Sequence, residues 1–402
     1  MKRLKILFIG LLVFFPLAGF GQTPELTPLS KISVLTCGPG EELYASFGHS
    51  AFRVQDTSLG IDVVYNYGVF DDTSKYFYLK FIQGQMNYRL ARQLSSRFLA
   101  EYEYFNRWVK EQKLELSLTE RNELFKFLEQ NYLPENQVYS YDFFYDNCST
   151  KVWDVLKASF GDQLIFNETY IKHQFTFRQL IHQNLKTNSW SAFGIDLALG
   201  AIIDNEATPK EHMYLPVYTM QQLETSKIGG ALLAPFEEVI YESKPVEKAS
   251  FLFTTPLFWL VLIMLLVVFV TYMDFKKNRR SRWLDFGLFF TTGLAGLLLL
   301  FLWFLTDHGQ TVSNFNVFWV FPLNAFIAFI LVKHRTPPAW MKNYLWALLA
   351  IILIVPLIWV LKIQIFSPLI IFILVALVIR YLFLINVLSQ SKNLSRNPII
   401  NT

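Results

Sequence analysis

Cysteine is nearly absent. Cys37 and Cys148 are the only two in 402 residues, so at most one bridge can form and a disulfide-stapled module is excluded. Charge is also sparse, at 17% of residues against 53% hydrophobic, too little for an ordinary soluble protein. The sequence holds no phosphate-binding glycine loop, no G-x-S-x-G elbow, and no His or Cys pair at metal-ligand spacing. Nucleotide-binding, serine-hydrolase and zinc-site readings therefore have nothing to rest on, and neither metal nor cofactor is expected. Internal repeats and low-complexity tracts are lacking as well.

What is abundant is apolar, and it is concentrated at the two ends. Residues 1–21 begin with Lys2, Arg3 and Lys5, continue as an apolar run, and close on Gly19 and Gly21. That is the pattern of a secretory signal peptide cut before Gln22; the plainer alternative is an uncleaved anchor. No cysteine stands at the cleavage point, so the chain is not itself a lipoprotein. From Phe251 onward apolar runs recur at about 252–273, 284–305, 316–333, 344–362 and 366–388, each near the ~20 residues that span hydrocarbon. The loops KKNRRSR and KHRTPPAWMK and the tail with Lys392 and Arg396 are basic, whereas TDHGQTVSNFN and KIQIF carry little positive charge. The positive-inside rule puts the basic loops and the C-terminus in the cytoplasm and residues 22–250 outside it.

Charge divides the chain the same way. Residues 251–402 hold 12 Lys+Arg against 3 Asp+Glu, and residues 1–250 hold 24 against 29. An acidic exported domain above a basic-inside membrane domain is no nucleic-acid binder. Two domains follow, 22–250 and 251–402, joined by YESKPVEKAS (241–250).

Within the exported domain, ISVLT, GHSAFRV and IDVVYNYGVF read as strands, and YFYLKFIQGQMNYRLA continues that character across a glycine. SRFLAEYEYFNRWVK has helical spacing, KLELSL resembles a short strand, and LTERNELFKFLEQNY is an amphipathic helix with Ser117 and Glu120 at capping-box spacing. QVYSYDFFY returns to extended structure, and STKVWDVLKASFG is helical from Cys148, closed by Gly161. The class is α+β.

Cys148 thus falls at a helix N-terminus, where backbone N–H groups and the helix dipole favour a thiolate. A nucleophile suits that position; so do a buried inert thiol and a disulfide to Cys37. His49, at a strand start, is the best-placed histidine to pair with it. His173, His182 and His212 lie in polar stretches, His334 in a cytoplasmic loop, and His308 in an outer loop.

LTCGPGEELYASFGHSAFRV, VVYNYGVFD, YDNCSTKVWD, FRQLI and FGIDLALG together resemble the Lnb-type lipoprotein N-acyltransferases of Gram-negative bacteria. That family joins a periplasmic domain to a C-terminal membrane domain, so the resemblance spans nearly all of the mature chain. The order, His first and then an Asn-Cys opening a helix, is also similar to the circularly permuted papain-like fold, of which lecithin:retinol acyltransferase is an acyl-transferring example. The resemblance implies an inner-membrane enzyme in which Cys148 takes an acyl chain from a phospholipid as a thioester. The chain would then pass to the α-amine of a diacylglyceryl-cysteine, with His49 as acid and base.

In such sites a third polar residue orients the histidine. In the permuted fold it lies on the next strand, which makes Asn66 the choice, with Tyr67 and Asp62 behind it. The Cys148 N–H is a natural oxyanion donor, with Tyr44 and Asn147 as further candidates near the substrate. Arg53 shares a strand face with His49 and would meet a phosphate or, more commonly, a structural carboxylate. Asp307, His308, Asn314 and Asn316 stand at the outer ends of membrane helices; they either meet water and headgroups or line the donor or acceptor site. Two other readings are compatible with these residues: a membrane-tethered cysteine hydrolase, and an envelope sensor or scaffold held by a Cys37–Cys148 disulfide. Five spans exceed what a tether needs.

Overall fold

The computed structural model describes residues 24–70, 80, 82–85, 87–245 and 251–396. The expected signal peptide and the last five positions of the expected linker lie outside the described residues. Strands β1 (Lys31–Cys37), β2 (His49–Asp56) and β3 (Ile61–Phe70) form where β-branched and aromatic residues recur between turn residues, and β4 (Asn87–Leu94) pairs with β3 through a polar sequence that buries Tyr88 and Leu90. Helix α1 (Ser95–Tyr104), strand β5 (Val109–Lys113), helix α2 (Leu118–Tyr132) and strand β6 (Val138–Ser140) follow. The strand expected at KLELSL lies earlier, because Val109 to Lys113 is the stretch that pairs with β1, and only its last residue overlaps. Ser117 and Glu120 do close a capping box on α2.

Helix α3 (Cys148–Phe160) begins at the cysteine. After it come α4 (Phe177–His182), α5 (Trp190–Ala198), α6 (Pro209–His212), α7 (Pro216–Thr225) and strand β7 (Glu237–Tyr241). All pairings in the main sheet are antiparallel, in the order β7-β5-β1-β2-β3-β4-β6. Period-2 alternation splits its side chains between two cores. Ile32, Phe52, Tyr65 and Tyr67 pack with the buried faces of α2 and α3, while Leu35, Cys37, Ala51 and Val64 pack with Phe98 and Tyr102 of α1.

Among the described residues, the membrane region holds four helices long and apolar enough to cross a bilayer: α8 (Pro256–Lys276), α9 (Arg282–Phe304), α11 (Met341–Val360) and residues 370–390 of α12 (Ile370–Arg396). The expected span at 316–333 is a correction. Phe315–Phe318 makes a single 3-10 turn, and the helix α10 covers only Asn324–Lys333, ten residues. Pro322 is the physical reason, since it lacks an N–H and disfavours helical geometry in the residue before it. This segment still runs the length of α9. At one end Thr311 Oγ1 donates to the Leu302 carbonyl (2.8 Å), and at the other Arg282 Nη1 donates to Val332 (3.2 Å). Between them a Cβ on Gly296 would fall 1.8 Å from the Val320 carbonyl, so only glycine admits the irregular backbone there. Arg380 binds Asp285 (2.6 Å) and Asp274 (3.0 Å), and Arg280 binds Asp285 (2.7 Å). These buried ion pairs tie α8, α9 and α12 together, a cluster that hydropathy alone did not mark.

The two regions are docked through the loop after α9. Asp307 N–H donates to the Gln83 carbonyl, Gly200 N–H to that of Gln310, and Ala201 N–H to that of Ser313, all at 2.8–3.0 Å. Phe193 and Leu197 of α5 pack into the membrane-region core.

Candidate active site

Asn147 sets up the site by starting α3. Its Oδ1 accepts from the N–H groups of Ser149 (2.8 Å) and Thr150 (3.0 Å), and its Nδ2 donates to the carbonyls of Phe143 and Tyr214 (2.8 Å each). This is an N-cap satisfied on every side, so Asn147 has no donor left for an oxyanion or a substrate. Its amide is committed to the cap, while the residue itself also lines the cavity around Cys148. The Cys148 N–H, at the first position of α3, helps to hold the thiol of its own side chain down.

β3 is bulged between Asn66 and Val69, and Gly68 sits there with φ +86°. A Cβ on Gly68 would meet the Cys148 Cβ at 3.4 Å, so glycine serves both the backbone angle and the close approach. His49 opens β2 opposite Cys37 of β1. Its Nε2 lies 2.6 Å from Asn66 Oδ1, which leaves the other ring nitrogen for the thiol. The structure therefore brings Cys148, His49 and Asn66 to one point.

Electrostatics pull both groups toward an ion pair. Burial opposes ionisation of the Cys148 thiol, but the His49 charge, a hydrogen bond from His49, and the N–H groups of Ser50 and Cys148 outweigh it, and the thiol is held below its usual range. Burial likewise opposes the imidazolium, yet the Cys148 thiolate and the hydrogen bonds to Cys148 and Asn66 raise the His49 pKa above its ordinary value, against a smaller opposing effect from Arg107. Cys37 is the contrast: wholly buried in β1, its thiol is driven far up by desolvation. Both cysteines are free, so the scaffold reading is left without its disulfide.

The other expected residues fall elsewhere. Tyr67 points to the opposite face of β3, where its hydroxyl accepts from Asn131 Nδ2 (2.9 Å), and burial pushes its pKa up to about 12. Arg53 makes a two-pronged bond to Asp62 (2.9 Å each) and a further one to Glu111 (3.2 Å). That settles Arg53 on structural carboxylates and removes Asp62 as an orienting residue. Tyr44 stands at the cavity rim, 73% exposed. Asn314 and Asn316 are fully buried and donate to the carbonyls of Leu197, Ala198 and Asp196 at the end of α5 (2.8–3.2 Å). They fasten the two regions together and are not among the residues that line the cavity around Cys148. Asp307 accepts from Gln85 Nε2 (2.8 Å) on the protein surface.

His308 does reach the site, with a neighbour that sequence reasoning missed. It lines the cavity of about 520 Å³ that contains Cys148, His49 and Asn66, and so does Gln310. Gln310 Nε2 donates to Asp142 (3.0 Å), just upstream of the Asn147 cap. The remaining walls are chiefly aromatic and aliphatic, among them Phe47, Phe143, Tyr214, Ile195 and Leu199, which pack in one cluster, and Phe70, Tyr88 and Tyr141, whose rings pack one against the next. A mainly apolar chamber of this size suits an organic ligand carrying an alkyl chain. No group of three or more His, Cys, Asp or Glu among the described residues is placed to hold a metal ion.

Two family models match the chain. The Lnb N-terminal periplasmic domain covers residues 25–183, and the Lnb transmembrane domain covers residues 247–392. Comparison with curated proteins and with solved structures gives no match.

Proposed function

Because the chain belongs to the Lnb family, with a periplasmic N-terminal domain and C-terminal transmembrane helices, we propose that it is an inner-membrane acyltransferase that modifies lipoproteins. Its N-terminal domain would be a permuted papain-like cysteine enzyme and its C-terminus would lie in the cytoplasm. The observation that carries this reading is the chamber itself: a thiol–imidazole pair at an apolar cavity whose wall is completed by the outer loop of the membrane region.

The acyl donor would be a phospholipid. The Cys148 thiolate attacks the ester carbonyl carbon, and the Cys148 N–H faces the oxygen that becomes negative. The ester C–O bond breaks, and the lysophospholipid oxygen leaves with the proton of the His49 imidazolium. Cys148 is then a thioester. The α-amine of a diacylglyceryl-cysteine attacks it, His49 accepts the amine proton, the C–S bond breaks, and the thiolate re-forms beside the imidazolium. Asn66 Oδ1, by accepting from His49 Nε2, keeps the ring aimed at the sulfur throughout. No external oxidant or nucleotide is needed, since an ester is exchanged for an amide.

An apolar chamber also explains how the donor reaches the thiolate. Exposing an alkyl chain to water costs about 0.8 kcal/mol per CH₂, so the chain must pass from lipid into protein without crossing water. Mass spectrometry of lipoprotein N-termini from cells with and without the protein tests the proposal. N-acylated termini that depend on Cys148 support it. Release of free fatty acid with no N-acylated product would favour the hydrolase reading instead.

A further inference from the structure

One charged corner of the chamber is not used by the acid–base machinery. Arg107 lines the same cavity as Cys148 and His49. It follows α1 through a Schellman-like end: Asn106 has φ +52°, and the Arg107 N–H donates back to the Tyr102 carbonyl (2.9 Å). The Asn106 side chain is itself fixed, accepting from the Lys244 N–H (2.7 Å) and the Tyr241 hydroxyl (3.0 Å) and donating to the Lys244 carbonyl (2.8 Å). Arg107 Nε donates to the Gly38 carbonyl (2.8 Å), and the guanidinium lies 4.6 Å over the Tyr102 ring. The stem and plane are thereby set in advance, while Nη1 and Nη2 have no acceptor among the described residues. Glu101, the one carboxylate among the described residues that line the cavity, forms no ion pair with Arg107.

We propose that Arg107 is the headgroup residue of the donor site, binding the phosphodiester of the phospholipid while its ester carbonyl lies at Cys148. This rests on the phospholipid-donor reading above and goes beyond it by naming what the enzyme recognises in the donor. A fixed guanidinium with two free N–H arms matches two phosphate oxygens. The phosphate is joined to the ester by the glycerol alone, so a donor reacting at Cys148 carries it within the same chamber. Glu101, exposed on the same wall, adds a preference for headgroups that end in a cation over those that are anionic throughout.

The test uses full-length protein in detergent with three donors of identical acyl chains: phosphatidylethanolamine, phosphatidylglycerol and the phosphate-free diacylglycerol. The readout is the rate of Cys148 thioester formation, expressed as ratios between donors, which do not depend on the folded fraction. Wild type should favour phosphatidylethanolamine over diacylglycerol, and Arg107→Gln should lose about tenfold or more of that ratio, with Arg107→Lys in between. Glu101→Gln should reduce discrimination between phosphatidylethanolamine and phosphatidylglycerol. An unchanged phosphatidylethanolamine-to-diacylglycerol ratio in Arg107→Gln overturns the proposal. So does a variant altered only in the pH profile of Cys148 alkylation, which would make Arg107 a modulator of the ion pair. Absence of thioester with every donor, in wild type as well, would instead remove the donor reading on which the proposal stands.

Discussion

Replacing Asn66 with alanine isolates the residue that contributes least by packing and most by orientation. The bond it forms to His49 is 2.6 Å long, and when His49 is protonated it is a hydrogen bond from a charged donor. Such bonds contribute about 1.5–3 kcal/mol net. The acylation transition state needs the proton on His49, so that loss falls on the barrier, and kcat/KM should drop about 10- to 150-fold. The pH profile gives the sharper signature. In the wild type, activity rises as Cys148 ionises below the usual thiol range and falls as His49 loses its proton above the usual imidazole range. Without Asn66 the imidazolium loses a partner and deprotonates at lower pH, and the thiolate, less well supported, forms at higher pH. The active window therefore narrows from both sides. Two measurements check this: kcat/KM for transfer from vesicles across pH, and the alkylation rate of Cys148 by iodoacetamide across the same range. Asn66→Asp, which keeps an acceptor and adds negative charge, should move the alkaline limb upward. An Asn66→Ala enzyme within threefold of wild type, with an unmoved acid limb of alkylation, would refute the triad logic.

Cys148→Ala should abolish thioester formation and transfer while changing stability by less than about 1 kcal/mol, because a half-buried thiol contributes little packing; residual transfer would exclude covalent catalysis. Asn147→Ala should cost about 2–4 kcal/mol in denaturant unfolding, combining a lost cap with two stranded carbonyls. A loss below about 1 kcal/mol would show that α3 does not depend on that cap. Replacing residues 251–402 with one unrelated apolar helix should eliminate transfer, since His308 and Gln310 go with them; full N-acylation by that chimera would reduce the membrane region to an anchor.

The pairing of Cys148 with His49 is only partly legible locally: the helix start is a local signal, while the family resemblance is what favours a nucleophile over an inert or bridged thiol. A cysteine after Asn at the switch from extended to helical pattern is a helix start, whereas Asn66 came from the resemblance to the permuted papain-like fold, with Tyr67 and Asp62 left as alternatives that the structure turns elsewhere. Arg53 could not be decided from its own strand, because Glu111, one of its carboxylate partners, comes from β5, two places along the sheet. Asn147, Asn314 and Asn316 resembled ligand groups in sequence; what settles them is which carbonyls lie opposite, a tertiary fact. Gln310 carried no signal at all, since its role depends on how the loop after α9 lands on Asp142. The interrupted crossing at Pro322 was hidden by composition: hydropathy counts apolar residues and does not register a missing N–H.

The shared wall of the chamber has a practical consequence for ligand discovery. A truncated chain ending at the linker would retain Cys148, His49 and Asn66, all supplied by the first 150 residues. It would lack the face that residues 308 and 310 supply. Compounds ranked on it would be fitted to an open groove, and their best members would extend through the space that His308 and Gln310 fill in the intact protein. Screening against this cavity is therefore a membrane-protein problem, even though Cys148, His49 and Asn66 all belong to the N-terminal domain.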